Sequence, residues 1–413
     1  MHTSSDALQK AYTGMVSLSV YRNVIKQPVT GALFRVLTAI QNENTTAMLT
    51  AYGELCSNLA QVNCLHSLPA AIAHEVLTDD NIFCLTAAEG KQPTTLLLQA
   101  AFRDLAALYE AACLPCELFA GDYADILPRF DHEPAPAPLD TPWGDAEAAL
   151  LLYHAQHGCG QFAMHNAFLW RDGKLHPVLH PDPIRLHHLK GYAYQRGIAV
   201  ENTKAFLSGY EGNNMLLYGD RGTGKSSTVK ALLNEYSVAG LRMIEIPKEY
   251  LRQLPDLTGY LSKIPMKFIV FIDDLSFSSD DDNFAALKAV LEGGLESRPD
   301  NVLIYATSNR RHLLRESFSN RSGDEVHHAD TIQESVSLSD RFGISLTFLM
   351  PDQQRFRDII TQMAQDLGVD AEPAVLLSAA ECWANERGGR SPRYARQFIA
   401  YAKAKIANGE PLI

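Results

Sequence analysis

The sequence predicts an α/β fold: a parallel, five-stranded sheet set between a mostly α-helical N-terminal domain and a helical C-terminal segment. Three observations carry this. From about Pro183 onward, apolar strand patterns alternate with amphipathic helix patterns, which implies a parallel sheet covered on both faces. A glycine-rich turn, Gly219 to Ser226, lies between one such strand and one such helix. Before and after this region, apolar residues recur at helical spacing.

Residues 1–130 are expected to form a helical accessory domain. Thr94 to Ala112 places Leu96, Leu97, Ala100, Leu105 and Leu108 at helical spacing, and Ala47–Val62 and Leu68–Leu77 look alike. No chemistry is legible there, so its stripes read as core. By elimination, the domain serves partner recognition or oligomer contacts. Residues 131–142, DHEPAPAPLDTP, cannot hold a regular helix, because each Pro removes a donor and restricts its predecessor; they read as a linker or an extended surface strap. Residues 143–185 read as a connector: a helix from Trp143 to Tyr153, then a hairpin turning at Asp172-Gly173.

Residues 186–350 form the expected α/β core, with strands Met215–Tyr218, Arg242–Ile246, Lys267–Ile272, Val302–Ala306 and Ile344–Leu349. Helices are expected over Lys225–Tyr236, Lys248–Ser262, Asn283–Glu296 and Arg310–Glu316. Residues 351–413 read as helical, with a break at Gly388-Gly389.

The chain's 413 residues suffice for two or three domains. With 36 Lys plus Arg against 48 Asp plus Glu, the formal charge of −12 argues against a chain-wide grip on nucleic acid or anionic membrane. No apolar run approaches a membrane span, and Met1 to Gln9 lacks the order of a signal peptide, so a cytoplasmic location is the default. Seven cysteines without a signal do not suggest a disulfide framework. Cys113-Leu-Pro-Cys116 lacks a second pair, and His176, His180, His187 and His188 fit no tight metal spacing.

Gly219-Asp220-Arg221-Gly222-Thr223-Gly224-Lys225-Ser226 fits G-x-x-x-x-G-K-[ST] in the strand–turn–helix context that this P-loop motif requires, and Ser227 begins the run out into the helix. Glycines let the backbone curl so that its N–H groups and the helix N-terminus surround phosphates. Lys225 supplies a point charge to the β and γ phosphates, and the Ser226 hydroxyl is short enough to ligate Mg²⁺. The expected ligands are therefore ATP or ADP with Mg²⁺.

Phe268-Ile-Val-Phe-Ile-Asp273-Asp274 is a buried-strand pattern ending in two carboxylates. Such a strand is expected beside the P-loop strand, with Asp273 on Mg²⁺ and Asp274 polarising the attacking water. The alternative is that the pair caps the following loop.

Together, LLYGDRGTGKSS, FIDDLSF, ATSNRRHL, SLSDRFG and RSPRYARQF resemble the AAA+ family, and within it the DUF815 ATP-binding proteins, over roughly Leu186 to Ala407. The resemblance implies a five-stranded α/β core followed by a helical lid, with ATP between them and often at a subunit interface. It places Asn309 as the "sensor 1" residue, although Ser308 or Asn309 can equally cap the next helix. Arg341 becomes the arginine finger offered to a neighbouring subunit, with Arg310, Arg311 and Arg321 as competitors and a surface Asp340–Arg341 pair as the bland reading. Arg393 becomes the lid's "sensor 2", with Arg390 and Arg396 as alternatives. Tyr192, in Leu189-Lys-Gly-Tyr192, either lines the adenine pocket or is an ordinary core aromatic.

Asp274 stands where many members of the family carry Glu, one methylene longer, so slow turnover is expected. Ser317 to Ser337 reads as a polar insertion or loop. The functional expectation is an oligomeric ATPase that remodels or loads an unknown protein partner. A nucleotide-gated switch or scaffold with little hydrolysis, and a nucleic-acid-associated loader, are the alternatives; the acidic charge disfavours the last.

Overall fold

A computed structural model describes residues 2–276, 282–292, 299–309 and 341–412. The expected helix Arg310–Glu316, the insertion Ser317–Ser337, and Arg310, Arg311, Arg321 and Asp340 lie outside the described residues. The chain divides into two compact units, Met1–Met164 and His165–Ile413.

The first unit is built from α1 (His2–Val16), α2 (Pro28–Gln41), α3 (Thr45–Gln61), α4 (Leu68–Leu77), α5 (Ile82–Ala88), α6 (Thr95–Ala112), α7 (Cys116–Ala120), α8 (Glu147–His157) and α9 (Gln161–Met164). Four of these helices start where a short polar side chain accepts orphan N–H groups: Asn44, Ser67, Asn81 and Thr94 each cap the helix that follows. Two buried carboxylates do the same work across the fold. Asp104 accepts from the N–H groups of Ser19, Val20 and Tyr21 at 2.7, 2.7 and 3.1 Å. Glu75 accepts from Val29 and Thr30 at 2.8 and 2.9 Å, in the first turn of α2.

The segment 131–142 runs against Leu65–Ser67 by backbone hydrogen bonds and places Ala135 and Leu139 in the core beside Trp143. The Leu139 carbonyl accepts from the Trp143 indole at 3.1 Å. The helix read from Trp143 begins as a 3-10 turn, Trp143–Asp145, before α8.

His154 of α8 is fully buried. Its Nδ1 pairs with the Gly158 carbonyl at 2.9 Å, while Nε2 has no hydrogen-bond partner among the described residues. Burial pushes its pKa down to about 4, opposed by the bond to Gly158 and aided by His157. A folded-state pKa below the unfolded value means that the unfolded chain takes the proton first. The stabilisation is thus complete above about pH 6.5 and lost as pH falls through 4. The expected size is up to about 3 kcal/mol, since each tenfold loss of proton affinity on folding is worth about 1.36 kcal/mol. Calorimetric Tm values of the full chain should fall over that window, and His154→Gln should flatten the slope; an unchanged slope would refute the assignment.

In the second unit, β1 (Ala167–Arg171) and β2 (Lys174–Pro177) form the hairpin, with Asp172 and Gly173 both at positive φ, 52° and 72°. That is the twist a two-residue hairpin turn demands. The five expected core strands are all present: β3 (Met215–Gly219), β4 (Leu241–Glu245), β5 (Lys267–Ile272), β6 (Val302–Ser308) and β7 (Ile344–Phe348). The sheet is larger than five strands, because the hairpin joins it. Among the described residues the order is β2-β1-β4-β5-β6-β3-β7, with β1 parallel to β4 and the β1–β2 pair alone antiparallel.

One expectation is corrected. The strand ending at Asp273 does not lie beside the P-loop strand; β6 stands between them. All seven residues of β6 are buried, as suits a central strand covered on both faces. The C-terminal end of β6 is thereby inserted between the phosphate loop and the acidic strand end.

Helices α10 (Ala193–Leu207), α11 (Lys225–Tyr236), α12 (Leu254–Leu261) and α13 (Asp282–Glu292) accompany the sheet. The helix expected over Lys248–Ser262 starts as a 3-10 turn, Lys248–Gln253, and becomes α-helical at Leu254, where Pro255 is tolerated in the first turn. The lid comprises α14 (Gln353–Leu367), α15 (Pro373–Glu386) and α16 (Pro392–Ala407), packed around Phe356, Ile360, Phe398 and Ile399. Gly368, at φ 62°, ends α14, a break additional to the one at Gly388-Gly389.

Candidate functional site

The site grows from the C-terminal ends of the parallel strands, where an open α/β sheet places its ligand crevice. β3 ends at Gly219, whose φ of 129° is forbidding to other residues; a Cβ there would stand 2.2 Å from the Phe348 carbonyl oxygen. The close approach lets β7 flank the turn, and Asp220 N–H donates to that carbonyl at 2.8 Å. Gly224, at φ 96°, leads into α11, and nothing lies within 4 Å of where its Cβ would be. The concave side of the loop is therefore open, at a helix N-terminus whose first N–H groups have no intrahelical partner.

Lys225 is buried, and its ammonium donates to the carbonyls of Gly219 and Asp220 at 2.9 and 2.7 Å and to Asn309 Oδ1 at 3.2 Å. Burial pushes its pKa down, while the carboxylates of Asp220, Asp274 and Asp273 oppose that shift and Arg221 adds to it. The hydroxyl of Ser226 donates to Asp273 Oδ1 at 2.6 Å. The same oxygen accepts from Thr307 Oγ1 at 2.6 Å. Thr307 Oγ1 in turn accepts from Asp274 N–H at 3.0 Å. Asn309 Nδ2 donates to Asp274 Oδ1 at 2.5 Å. Asp274 has a φ of 52°, a left-handed conformation that Asp and Asn tolerate better than most residues.

Lys225, Ser226, Asp273, Asp274 and Asn309 are thus brought together by the ends of β3, β5 and β6. Thr307 belongs with them and was missed from sequence. Its signal was present in Ala306-Thr-Ser-Asn309, but its use depends on β6 lying next to β5. Glu245, at the end of β4, is a further half-buried acid: burial raises its pKa, Lys230 lowers it and Asp273 raises it.

Lys225, Ser226, Asp273, Asp274, Thr307 and Asn309, but not Glu245, line a cavity of about 910 Å³ shared with the lid, within the roughly 300–1,000 Å³ usual for small-molecule sites. Gly222, Thr223, Ser227, Arg221, Arg393 and Arg396 also face it, as do Leu189, Tyr192 and Met363. The lid touches the loop directly: Arg393 N–H donates to the Gly222 carbonyl at 3.1 Å. A Cβ on Gly222 would meet Ser391 Oγ at 3.0 Å and Arg393 Cβ at 3.3 Å. Arg390 does not line the cavity and is paired with Glu381 at 2.8 Å. Tyr192 stacks obliquely on Phe348, with ring centroids 5.1 Å apart, and its hydroxyl donates to the Leu349 carbonyl at 2.5 Å. Burial and the Asp220 carboxylate push its pKa up to about 12.

Arg341 is placed elsewhere. It stands three residues before β7, at the N-terminal end of a strand whose C-terminal end pairs with Gly219. The four residue steps of β7 alone separate those ends by roughly 13 Å.

Among the described residues no helix is long and apolar enough to cross a membrane, and no group of three or more His, Cys, Asp or Glu side chains is arranged to hold a metal ion. A family model described as "Protein of unknown function (DUF815)" matches residues 163–406. No curated protein matches the chain. Among solved structures, the RuvB Holliday junction branch migration motor of Thermotoga maritima is similar at 17% identity, covering 55% of this chain and 67% of that one, with a TM-score of 0.39. A single-residue variant of the same Thermotoga maritima RuvB gives the same identity, coverage and TM-score. At that level these likenesses assign no activity, ligand or partner to this chain.

Proposed function

This chain belongs to the DUF815 family of proteins of unknown function, and we propose that it is a Mg²⁺-dependent AAA+ ATPase that works as a homo-oligomer on a protein partner. The observation that carries this is the convergence of Lys225, Ser226, Asp273, Asp274 and Asn309 on one open phosphate cradle. Backbone N–H groups at Gly222–Ser226 receive the phosphates, and Lys225 leaves its carbonyl partners for the β and γ oxygens. The apolar wall of Leu189, Tyr192 and Met363 takes the base.

The donor set suits Mg²⁺, which takes few protein oxygens, keeps water and accepts phosphate. Ser226 and Asp273 would hold it, and when bound it neutralises charge on the β and γ phosphates. In hydrolysis, water oxygen bonds to the γ-phosphorus, the bond to the β–γ bridging oxygen breaks, and the water proton passes to the Asp274 carboxylate. Asn309 orients Asp274 and the water. Arg393 reaches the phosphates from the lid.

Arg341 precedes β7, at the end of the strand away from the phosphate loop of its own subunit, which supports its use on a neighbour's site. Phosphate release at graded protein concentrations tests this. Turnover should rise faster than linearly with concentration, and Arg341→Ala should lose on the order of 10³-fold. Mixing Arg341→Ala with Lys225→Ala should restore part of the activity, since each supplies what the other lacks. Linear dependence with normal turnover in Arg341→Ala would refute the shared site. The bond from Asn309 to Asp274 favours one second reading, a nucleotide-gated switch in which the carboxylate is kept from water. ATP binding without turnover at any concentration would select it.

A further inference from the structure

A carboxylate within a loop that wraps an anion weakens anion binding unless it does something else, and Asp220 is such a carboxylate. Its side chain is turned to the hinge that joins β7 to the lid. Oδ2 accepts from the N–H of Met350 at 2.5 Å. Met350 stands between Phe348, the last residue of β7, and Asp352, the N-cap of α14. The next residue, Pro351, has no N–H to offer. The neighbouring hinge carbonyl, Leu349, is held by Tyr192. The backbone N–H of Asp220 also faces β7, donating to the Phe348 carbonyl at 2.8 Å, while its carbonyl accepts from the Lys225 ammonium at 2.7 Å and from Thr223 Oγ1 at 2.8 Å.

We propose that Asp220 is a positioning residue that conveys occupancy of the phosphate loop to the lid. A phosphate that draws Lys225 off the Asp220 carbonyl loosens one side of the residue, while the carboxylate holds the Met350 N–H of the hinge. Movement of the loop is thereby imposed on α14. The inference rests on reading the cavity as a nucleotide site, and deepens it by naming how the lid is driven.

Two variants separate the carboxylate's charge from its hydrogen bond. Asp220→Asn loses the charge and keeps an acceptor oxygen; Asp220→Ala loses both. Hydrogen exchange is followed at residues 350–356 of the full chain, without nucleotide and at saturating ADP, with ADP binding measured in parallel by titration. In the wild type and in Asp220→Asn, ADP should slow exchange there by about threefold to tenfold, the scale of one hydrogen bond. In saturated Asp220→Ala the change should shrink to less than about twofold. Equal protection in Asp220→Ala and the wild type overturns the proposal. So does loss in both variants, which would assign the effect to charge. Loss of ADP binding in Asp220→Ala alone also overturns it, by showing that the acceptor shapes the loop itself. Failure of the wild type to bind ADP in the titration instead refutes the nucleotide reading and removes this inference with it.

Discussion

Lys225→Ala is expected to remove ATP turnover and to raise the Kd for ATP at least about 100-fold, since hydrogen bonds to a charged group are worth roughly 1.5–3 kcal/mol each and two phosphate oxygens lose them. The alanine also empties a buried position, but its effect on the fold should be small. The partners left behind are the Gly219 and Asp220 carbonyls and Asn309 Oδ1, all beside an open cavity where water can replace the ammonium. A Tm near that of the wild type, with binding lost in a fluorescence titration, would place the effect in the site. Retained binding within about threefold would show that Lys225 does not hold the phosphates.

Asp274→Asn is the second large effect and should separate chemistry from binding. Asn keeps the shape and tolerates the left-handed φ of 52°. It also keeps an oxygen to accept from Asn309. What it loses is the capacity to take a proton from water. Single-turnover hydrolysis should fall by about 10²–10⁴, with ATP affinity changed no more than about threefold. The protein should then accumulate in the ATP-bound form, seen as unhydrolysed nucleotide after rapid gel filtration. A loss below about tenfold would move the base elsewhere, and Glu245 at the end of β4 would be the next residue to change.

The core strands were legible because each is a short apolar run next to a turn signal. Strand Lys267–Ile272 and helix Lys225–Tyr236 have the observed bounds, and the other four expected strands differ from the observed ones by one or two residues at an end. What the sequence did not yield was neighbourhood. The position of β6 between β3 and β5 is a three-dimensional fact, and it is why Thr307 escaped notice while the adjacent Asn309 was picked out. The role of Gly222 was hidden for the same reason. Its motif explains a tight turn, whereas the missing Cβ also admits Ser391 and Arg393, some 170 residues later. The resemblance singled out Arg393 with Arg390 and Arg396 as alternatives; Arg393 and Arg396 line the cavity, while Arg390 is engaged by the Glu381 carboxylate. Residues 131–142 read as a linker or an extended surface strap because proline excludes helix, yet an extended backbone can still bury Ala135 and Leu139.

The two borders of the sheet have a consequence for self-association. A bare strand edge recruits other strands without regard to sequence, and such pairing runs on into aggregates. Here one border is β2, four residues long and ending in Pro177, a short and blunt template. Along the other, β7, the Thr347 carbonyl is occupied by Gln195 Nε2, and just beyond it the Leu349 carbonyl is occupied by the Tyr192 hydroxyl. Among the described residues these borders offer a neighbouring copy one short strand and one partly occupied strand, which favours assembly through side chains, whose shape and charge can specify a partner and an angle.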